Sequence, residues 1–174
     1  MKISGFSFLR NGAKLHYPIL ESIRSALPLV DEFVIALGDS DPDDDTRERI
    51  EAIGSDKIVL FDTVWDLDKY PRGMEHAHQT DLAKERCAGD WLLYLQGDEV
   101  MHEDDLEILR GSCERWLDDK RVDARRRAVG EAVARLAEAV RRRVGDEDAH
   151  LGRLLAPVKL MHLVQRGAHG LGAV

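Results

Sequence analysis

Three aspartates follow short apolar runs: Asp39 after Phe33–Leu37 and Gly38, Asp62 after Lys57–Phe61, and Asp98 after Trp91–Leu95. Carboxylates gathered at one rim repel one another unless a cation joins them. A hard divalent ion such as Mg²⁺ or Mn²⁺ suits oxygen ligands, and Mg²⁺ takes only one or two protein carboxylates before phosphate and water fill its shell. Such a centre serves a ligand whose leaving group is a diphosphate, because the metal neutralises the charge that develops there. Plainer roles exist for the same residues. The stretch Asp39-Ser40-Asp41-Pro42-Asp43-Asp44-Asp45 also suits a solvated turn that caps a helix, and Asp98-Glu99 suits the acidic first turn of one. His76 and His78 lie two apart on a predicted helix, face different ways and make a poor metal pair. The chain has no P-loop, no Gly-x-Gly-x-x-Gly fingerprint and no Gly-x-Ser-x-Gly elbow, which counts against an ATPase, an ordinary dinucleotide-binding domain and a serine hydrolase.

The elements that position these residues are legible in the first 120 positions. Ile3–Leu9 reads as a buried strand broken by Arg10-Asn11-Gly12. Leu15, Ile19, Ile23 and Leu27 recur at spacing four and predict a helix with Pro18 in its first turn. Phe33–Leu37 is a second strand, followed by a helix from about Thr46 to the stop at Gly54. Lys57–Phe61 is a third strand, Met74–Ala88 a third helix, Trp91–Leu95 a fourth strand and Glu103–Leu117 a fourth helix. Strand and helix alternate throughout, which predicts a parallel sheet with helices on its faces. Ligands of such sheets sit beyond the carboxyl ends of the strands, near the point where strand order reverses. The residues there are Arg10 and Asn11, Asp39 and Asp41, the 62–73 connection, and Asp98 and Glu99.

The net charge of −8 is unevenly spread. Residues 1–120 hold 14 Lys and Arg against 27 Asp and Glu, a balance of −13; residues 121–174 hold 11 against 6, a balance of +5. A phosphate backbone is repelled by the first part, so nucleic acid is excluded as its partner. No apolar run is long enough to span a membrane, and the N-terminus lacks the pattern of a secretory signal. Cys87 and Cys113 show no metal-type spacing and read as ordinary thiols of a cytoplasmic protein.

All ten aromatic residues lie before residue 121, and no Phe, Trp, Tyr, Ile, Ser, Thr, Asn or Cys follows it. The chain therefore divides into an α/β domain, 1–120, and an Ala/Arg-rich helical tail, 121–174, with 124–144 predicted as a helix between Asp123 and Gly145. Packing of that basic helix on the acidic domain is one reading; peripheral contact with an anionic membrane at its inner face is another. An out-of-frame reading of a GC-rich gene gives the same composition, as does a genuine helical appendage.

The stretch from Ile3 through Asp119 resembles bacterial family 2-like glycosyltransferases with the GT-A fold. The similar segments are Phe6-Ser7-Phe8-Leu9-Arg10-Asn11, Glu21-Ser22-Ile23-Arg24-Ser25, Asp31-Glu32-Phe33-Val34-Ile35, Asp45-Thr46-Arg47-Glu48, Asp62-Thr63-Val64-Trp65-Asp66, Gln79-Thr80-Asp81-Leu82-Ala83 and the run from Gly89 to Val100 that contains Leu95-Gln96-Gly97-Asp98-Glu99. The resemblance implies transfer of a sugar from a nucleotide-diphosphate sugar to an acceptor, with divalent-metal assistance. It implies nucleotide binding by Arg10, Asn11, Asp39 and Asp41. It places the family's Asp-x-Asp metal motif at Gln96-Gly97-Asp98, where Gln96 can bond a ribose hydroxyl or a metal-bound water, and Asp98, with Glu99 beside it, carries the charge. Nothing in 121–174 matches the family's acceptor half, so the domain reads as truncated, no residue is assigned as catalytic base, and activity of the chain itself stays open. Two further readings stand beside this one: a non-catalytic α/β domain that covers its unfinished sheet by self-association or with a partner, and a nucleotidyltransferase.

Overall fold

A computed structural model describes residues 1–118 and the backbone of residues 162–165. Five strands form one sheet: β1 (Ile3–Leu9), β2 (Glu32–Leu37), β3 (Ile58–Asp62), β4 (Trp91–Tyr94) and β5 (His162–Gln165), in the order β3-β2-β1-β4-β5. The first four are parallel and β5 runs antiparallel to β4. Helices α1 (Ile19–Ala26), α2 (Thr46–Glu51), α3 (Met74–Glu85) and α4 (Glu103–Trp116) fill the connections. This is the α/β architecture with a mostly parallel sheet that the alternation predicts.

Successive strand residues point to opposite faces, and both faces here are covered, so the strands read as nearly unbroken apolar runs. On one face Ile3, Leu9, Phe33, Ile35, Leu37, Trp91 and Leu93 pack with Ile19, Ile23 and Ala26 of α1, Ile50 of α2 and Cys113 of α4. On the other, Phe6, Val34, Ala36 and Leu92 pack with Ala83 of α3 and with Cys87. Both cysteines are buried thiols, and burial pushes the Cys113 thiol up to about 12.

At the start of the sheet a single carboxylate ties three segments together. Glu32 accepts from Lys2 Nζ (2.8 Å), from Ser4 Oγ and from the backbone N–H of Ala88 (2.6 Å), while Ser4 Oγ accepts from Gly89 N (2.7 Å). Burial raises the Glu32 carboxyl, but the bonds from Lys2, Ser4 and Ala88 outweigh it and hold the group below its ordinary 4.5.

Three expectations change. Leu15 does not join the apolar stripe of α1: it is 56% exposed, in the turn that precedes the helix. Pro18 is the N-cap residue, and the helix starts only at Ile19. In the tail, residues 162–165 form a strand, not helix. The edge of β4 would otherwise present unpaired N–H and C=O groups, and pairing with β5 satisfies them. The expected helix at 124–144 lies outside the described residues. The other sheet edge, β3, has Val59 exposed. Among the described residues no helix is long and apolar enough to cross a membrane.

Candidate functional site

In the order β3-β2-β1-β4 the chain runs outward from β1 through β2 to β3 and then crosses back, through α3, to lay β4 on the other side of β1. Strand order therefore reverses between β1 and β4, and the loops that follow these strands frame a crevice.

The loops after β1 and β2 are bound to each other. Gly38 N donates to Leu9 O (2.8 Å). Arg10 Nε donates to Asp39 O (3.2 Å) and lies 3.5 Å from Asp39 Oδ1. Asn11 holds a left-handed φ of 53°, which short polar Asn tolerates better than most residues. In that conformation its N–H donates to Ser40 Oγ (2.9 Å) and its Oδ1 accepts from Asp41 N (2.7 Å). Lys14 Nζ donates to Asp41 Oδ2 (2.7 Å) and to Asp43 Oδ1 (2.8 Å). The Lys14 ammonium beside Asp41, with help from Asn11, holds that carboxyl below the usual carboxylate range. Arg10, Asn11, Asp39 and Asp41 are thus brought together as one surface. Part of the acidic stretch shapes that surface: Asp44 accepts from Lys14 N (2.9 Å) and from Thr46 N (3.2 Å), fixing the entry to α2, whereas Asp45 at the N-cap makes no capping bond.

Trp65, beyond β3, closes one side. Its backbone N–H donates to Asp39 Oδ1 (3.0 Å), and the Arg10 guanidinium lies 5.3 Å from its ring centroid. The ring sits 6.0 Å from Phe8 and 5.2 Å from His76. Gly38 is required beneath it, because a Cβ there would lie 2.5 Å from Trp65 Nε1 and 3.2 Å from Arg10 Cβ.

After β4 the chain makes a tight turn. Glu99 N donates to Gln96 O (3.1 Å), and Gln96 N donates back to Glu99 Oε2 (3.0 Å). Helix α1 anchors the turn: Ser22 Oγ donates to Gln96 O (2.9 Å) and Ser25 Oγ accepts from Met101 N (3.0 Å). The turn also packs on the end of β1, where a Cβ on Gly97 would come 2.6 Å from Leu9 Cδ2. Asp98 is exposed at this turn, and Gln96 and Glu99 are half-buried. Burial raises the Tyr94 hydroxyl above its ordinary value, and the charges of Glu99 and Asp98 push it in the same direction.

The three strand-end carboxylates do not form one metal cluster. Asp39 pairs with Arg10, and Asp62 pairs with Arg47. Arginines thus neutralise two of the three strand-end carboxylates. Among the described residues no group of three or more His, Cys, Asp or Glu is placed to hold a metal. An ion bound through one carboxylate, with its shell completed by a diphosphate and water, still fits Asp98; a site built wholly from protein ligands does not. His76 packs against Phe8 and Trp65 while His78 stacks on Tyr70 at 4.2 Å, so the two histidines diverge as expected.

The sequence assigned no role to Lys14, Ser22, Ser25, Glu75 or Gln79, although Ser22, Ser25 and Gln79 lie in the segments that carry the resemblance. The signal for the last two was present. Glu75, Gln79 and Ala83 recur at spacing four along α3 and all three are buried, so this stripe carries two polar residues where a helix normally buries apolar ones.

No protein-family model matches the chain, and no curated protein matches it. Among solved structures, it is similar to TarS 1-349 of S. aureus in complex with UDP, at 20% identity and a TM-score of 0.45, over 66% of this chain and 32% of that one. The same TarS in complex with UDP-GlcNAc gives 20% identity and a TM-score of 0.45, over 66% and 32%. Glucosyl-3-phosphoglycerate synthase from Mycobacterium tuberculosis in complex with UDP gives 23% identity and a TM-score of 0.47, over 94% of this chain and 56% of that one. The chain thus spans about a third of that TarS chain and just over half of the synthase. At these scores the functional reading rests on the chain's own residues.

Proposed function

We propose that the chain binds a nucleotide-diphosphate sugar at the carboxyl ends of β1, β2 and β4, as the donor-binding part of a glycosyltransferase of the GT-A type. The observation that carries this reading is the joining of Arg10, Asn11, Asp39 and Trp65 into one surface beside the Gln96–Glu99 turn, on the two sides of the strand-order reversal. Asp39 and Asn11 present hydrogen-bonding groups for a nucleoside, and Trp65 and Phe8 present aromatic faces beside them. Arg10 is the cation that an otherwise acidic rim needs in order to accept a diphosphate. Gln96 is an uncharged bonding partner for a ribose hydroxyl. A bound Mg²⁺ or Mn²⁺ supplies neutralisation of the leaving diphosphate, and Asp98 is the residue that would hold it, with Glu99 adjacent. No described residue is assigned to deprotonation of the acceptor.

Calorimetric titration of the full chain with UDP and with GDP, each with and without Mn²⁺, tests the reading. Binding of one nucleotide with metal-dependent affinity is expected. Asp98→Ala is expected to weaken the metal-dependent part by about tenfold or more, equivalent to about 1.4 kcal/mol. Undiminished binding by that variant removes Asp98 from the site, and absence of binding to either nucleotide removes the donor role.

A further inference from the structure

The segment Val64-Trp65-Asp66 leaves the sheet after β3, and packing alone does not explain why it is ordered. Val64 is 75% exposed, and Asp66 is exposed as well. Only the Trp65 ring lies against other side chains. The backbone of the segment is instead held by polar side chains at three successive residues. Gln79 Nε2 donates to Val64 O (3.4 Å), Trp65 N donates to Asp39 Oδ1 (3.0 Å), and Asp66 N donates to Glu75 Oε2 (3.1 Å). Gln79 Nε2 also donates to Glu75 Oε1 (2.7 Å), which joins the two α3 residues into one unit.

This pair is costly. Glu75 and Gln79 are both 0% exposed. Burying a carboxylate and an amide carries a desolvation penalty that apolar residues of similar volume avoid. The positive end of α3, in whose first turn Glu75 lies, offsets part of it. Gln79 Oε1 has no hydrogen-bond partner among the described residues, so the amide is not optimised for its own satisfaction. Its N–H groups are spent where the segment needs donors.

We propose that Glu75 and Gln79 are positioning residues, a two-residue clamp on the Val64–Asp66 backbone that fixes Trp65 against Arg10 and Asp39 and so sets nucleotide affinity without contact with the nucleotide. The affinity part rests on the donor-binding reading; the clamp itself does not. Neither residue belongs to the surface assigned to the donor, and both act through backbone groups of Val64 and Asp66, which are themselves exposed.

Two arms test it on the full chain. Amide hydrogen exchange on the unaltered protein is expected to show Trp65 and Asp66 protected, although their segment is solvent-facing. Exchange at these amides as fast as in free loop residues overturns the clamp. The second arm uses Glu75→Met/Gln79→Leu, which replaces the buried polar pair by apolar groups of similar volume and is expected to keep or raise the melting temperature. The same variant is expected to lose protection at Asp66 and to bind the UDP or GDP that the unaltered chain binds about tenfold more weakly, a loss of about 1.4 kcal/mol. A purely structural pair predicts the opposite split, lower stability with unchanged affinity, and that result overturns the proposal. Gln79→Met, which keeps the Glu75–Asp66 bond, serves if the double variant does not fold. It is expected to weaken binding while Asp66 stays protected, and unchanged affinity again overturns the affinity role. Absence of nucleotide binding by the unaltered chain refutes the donor reading instead, and the exchange arm then decides the clamp alone.

Discussion

Gly38 is the position where a single added carbon separates a structural account of the crevice from a coincidental one. It ends β2, is buried, and lies directly under Trp65. A Cβ built there would stand 2.5 Å from Trp65 Nε1, 2.8 Å from Trp65 Cδ1 and 3.2 Å from Arg10 Cβ. The first two distances are well inside van der Waals contact, and the indole is a rigid ring whose backbone N–H is held by Asp39. Trp65 must therefore swing away or the β2 end must deform. Overpacking of this kind costs about 1–3 kcal/mol. For a domain of this size each kcal/mol corresponds to a shift of roughly 3–6 °C in melting temperature. Gly38→Ala is thus expected to lower the midpoint by several degrees in thermal unfolding followed by circular dichroism, and to weaken UDP or GDP binding by calorimetry more than the loss of stability explains. A variant that melts like the unaltered chain and binds nucleotide equally well would show that Trp65 is not seated on Gly38 and that the crevice wall is drawn wrongly.

Other consequences are as direct. Gly89→Ala places a Cβ 2.6 Å from Ser4 N, an immovable backbone atom, and is expected to destabilise the chain by more than Gly38→Ala; Gly111→Ala, with nothing within 4 Å on α4, is expected to stabilise it by about 0.5–1 kcal/mol through helix propensity, and thermal unfolding of both variants checks the contrast. Because the Glu32 carboxyl is held below its ordinary 4.5 in the folded chain, its stabilising effect is complete above that value and is lost as pH falls through the lower folded value. Glu32→Gln is therefore expected to be less stable at neutral pH but to lose less stability on acidification below about 4.5, as read from denaturant midpoints across pH; parallel acid profiles would contradict this. Ending the chain at residue 158 removes β5 and bares the β4 edge, so faster-sedimenting oligomers are expected in velocity runs, and an unchanged monomer would show that β5 does not protect that edge.

The alternation of strands and helices was legible because β1, β2 and β4 are largely apolar runs buried on both faces, β3 is an apolar run at the sheet edge, and Gly or Asp marks the connections. Leu15 misled because spacing four continues one turn too far past Pro18 toward the N-terminus, and the periodic pattern alone does not mark where a helix begins. The strand-end positions were also legible, since topology alone places Arg10, Asp39 and Asp98 at the same rim. Their partners were not. Arg10 meets Asp39 across 29 residues and Arg47 meets Asp62 across 15, and nothing local encodes which arginine neutralises which carboxylate. Two of the three strand-end carboxylates are therefore paired with arginines that spacing did not reveal. Glu75 and Gln79 were hidden for a related reason: a buried polar pair makes sense only once the backbone groups it bonds, nine and fifteen residues away, are seen. The strand at 162–165 was invisible because a four-residue stretch takes its identity from the edge it completes.

The central claim is that a nucleotide sits across the carboxyl ends of β1, β2 and β4. Amide chemical-shift mapping of the ¹⁵N-labelled full chain during titration with UDP and with GDP, in the presence of Mg²⁺, tests it most directly. The largest changes are expected at Arg10, Asn11, Asp39, Trp65 and Gln96–Asp98, with the start of the sheet around Glu32 and Ala88 unmoved. Saturating nucleotide that shifts none of these amides, or that shifts only residues elsewhere such as Glu103–Arg110 of α4, would contradict it.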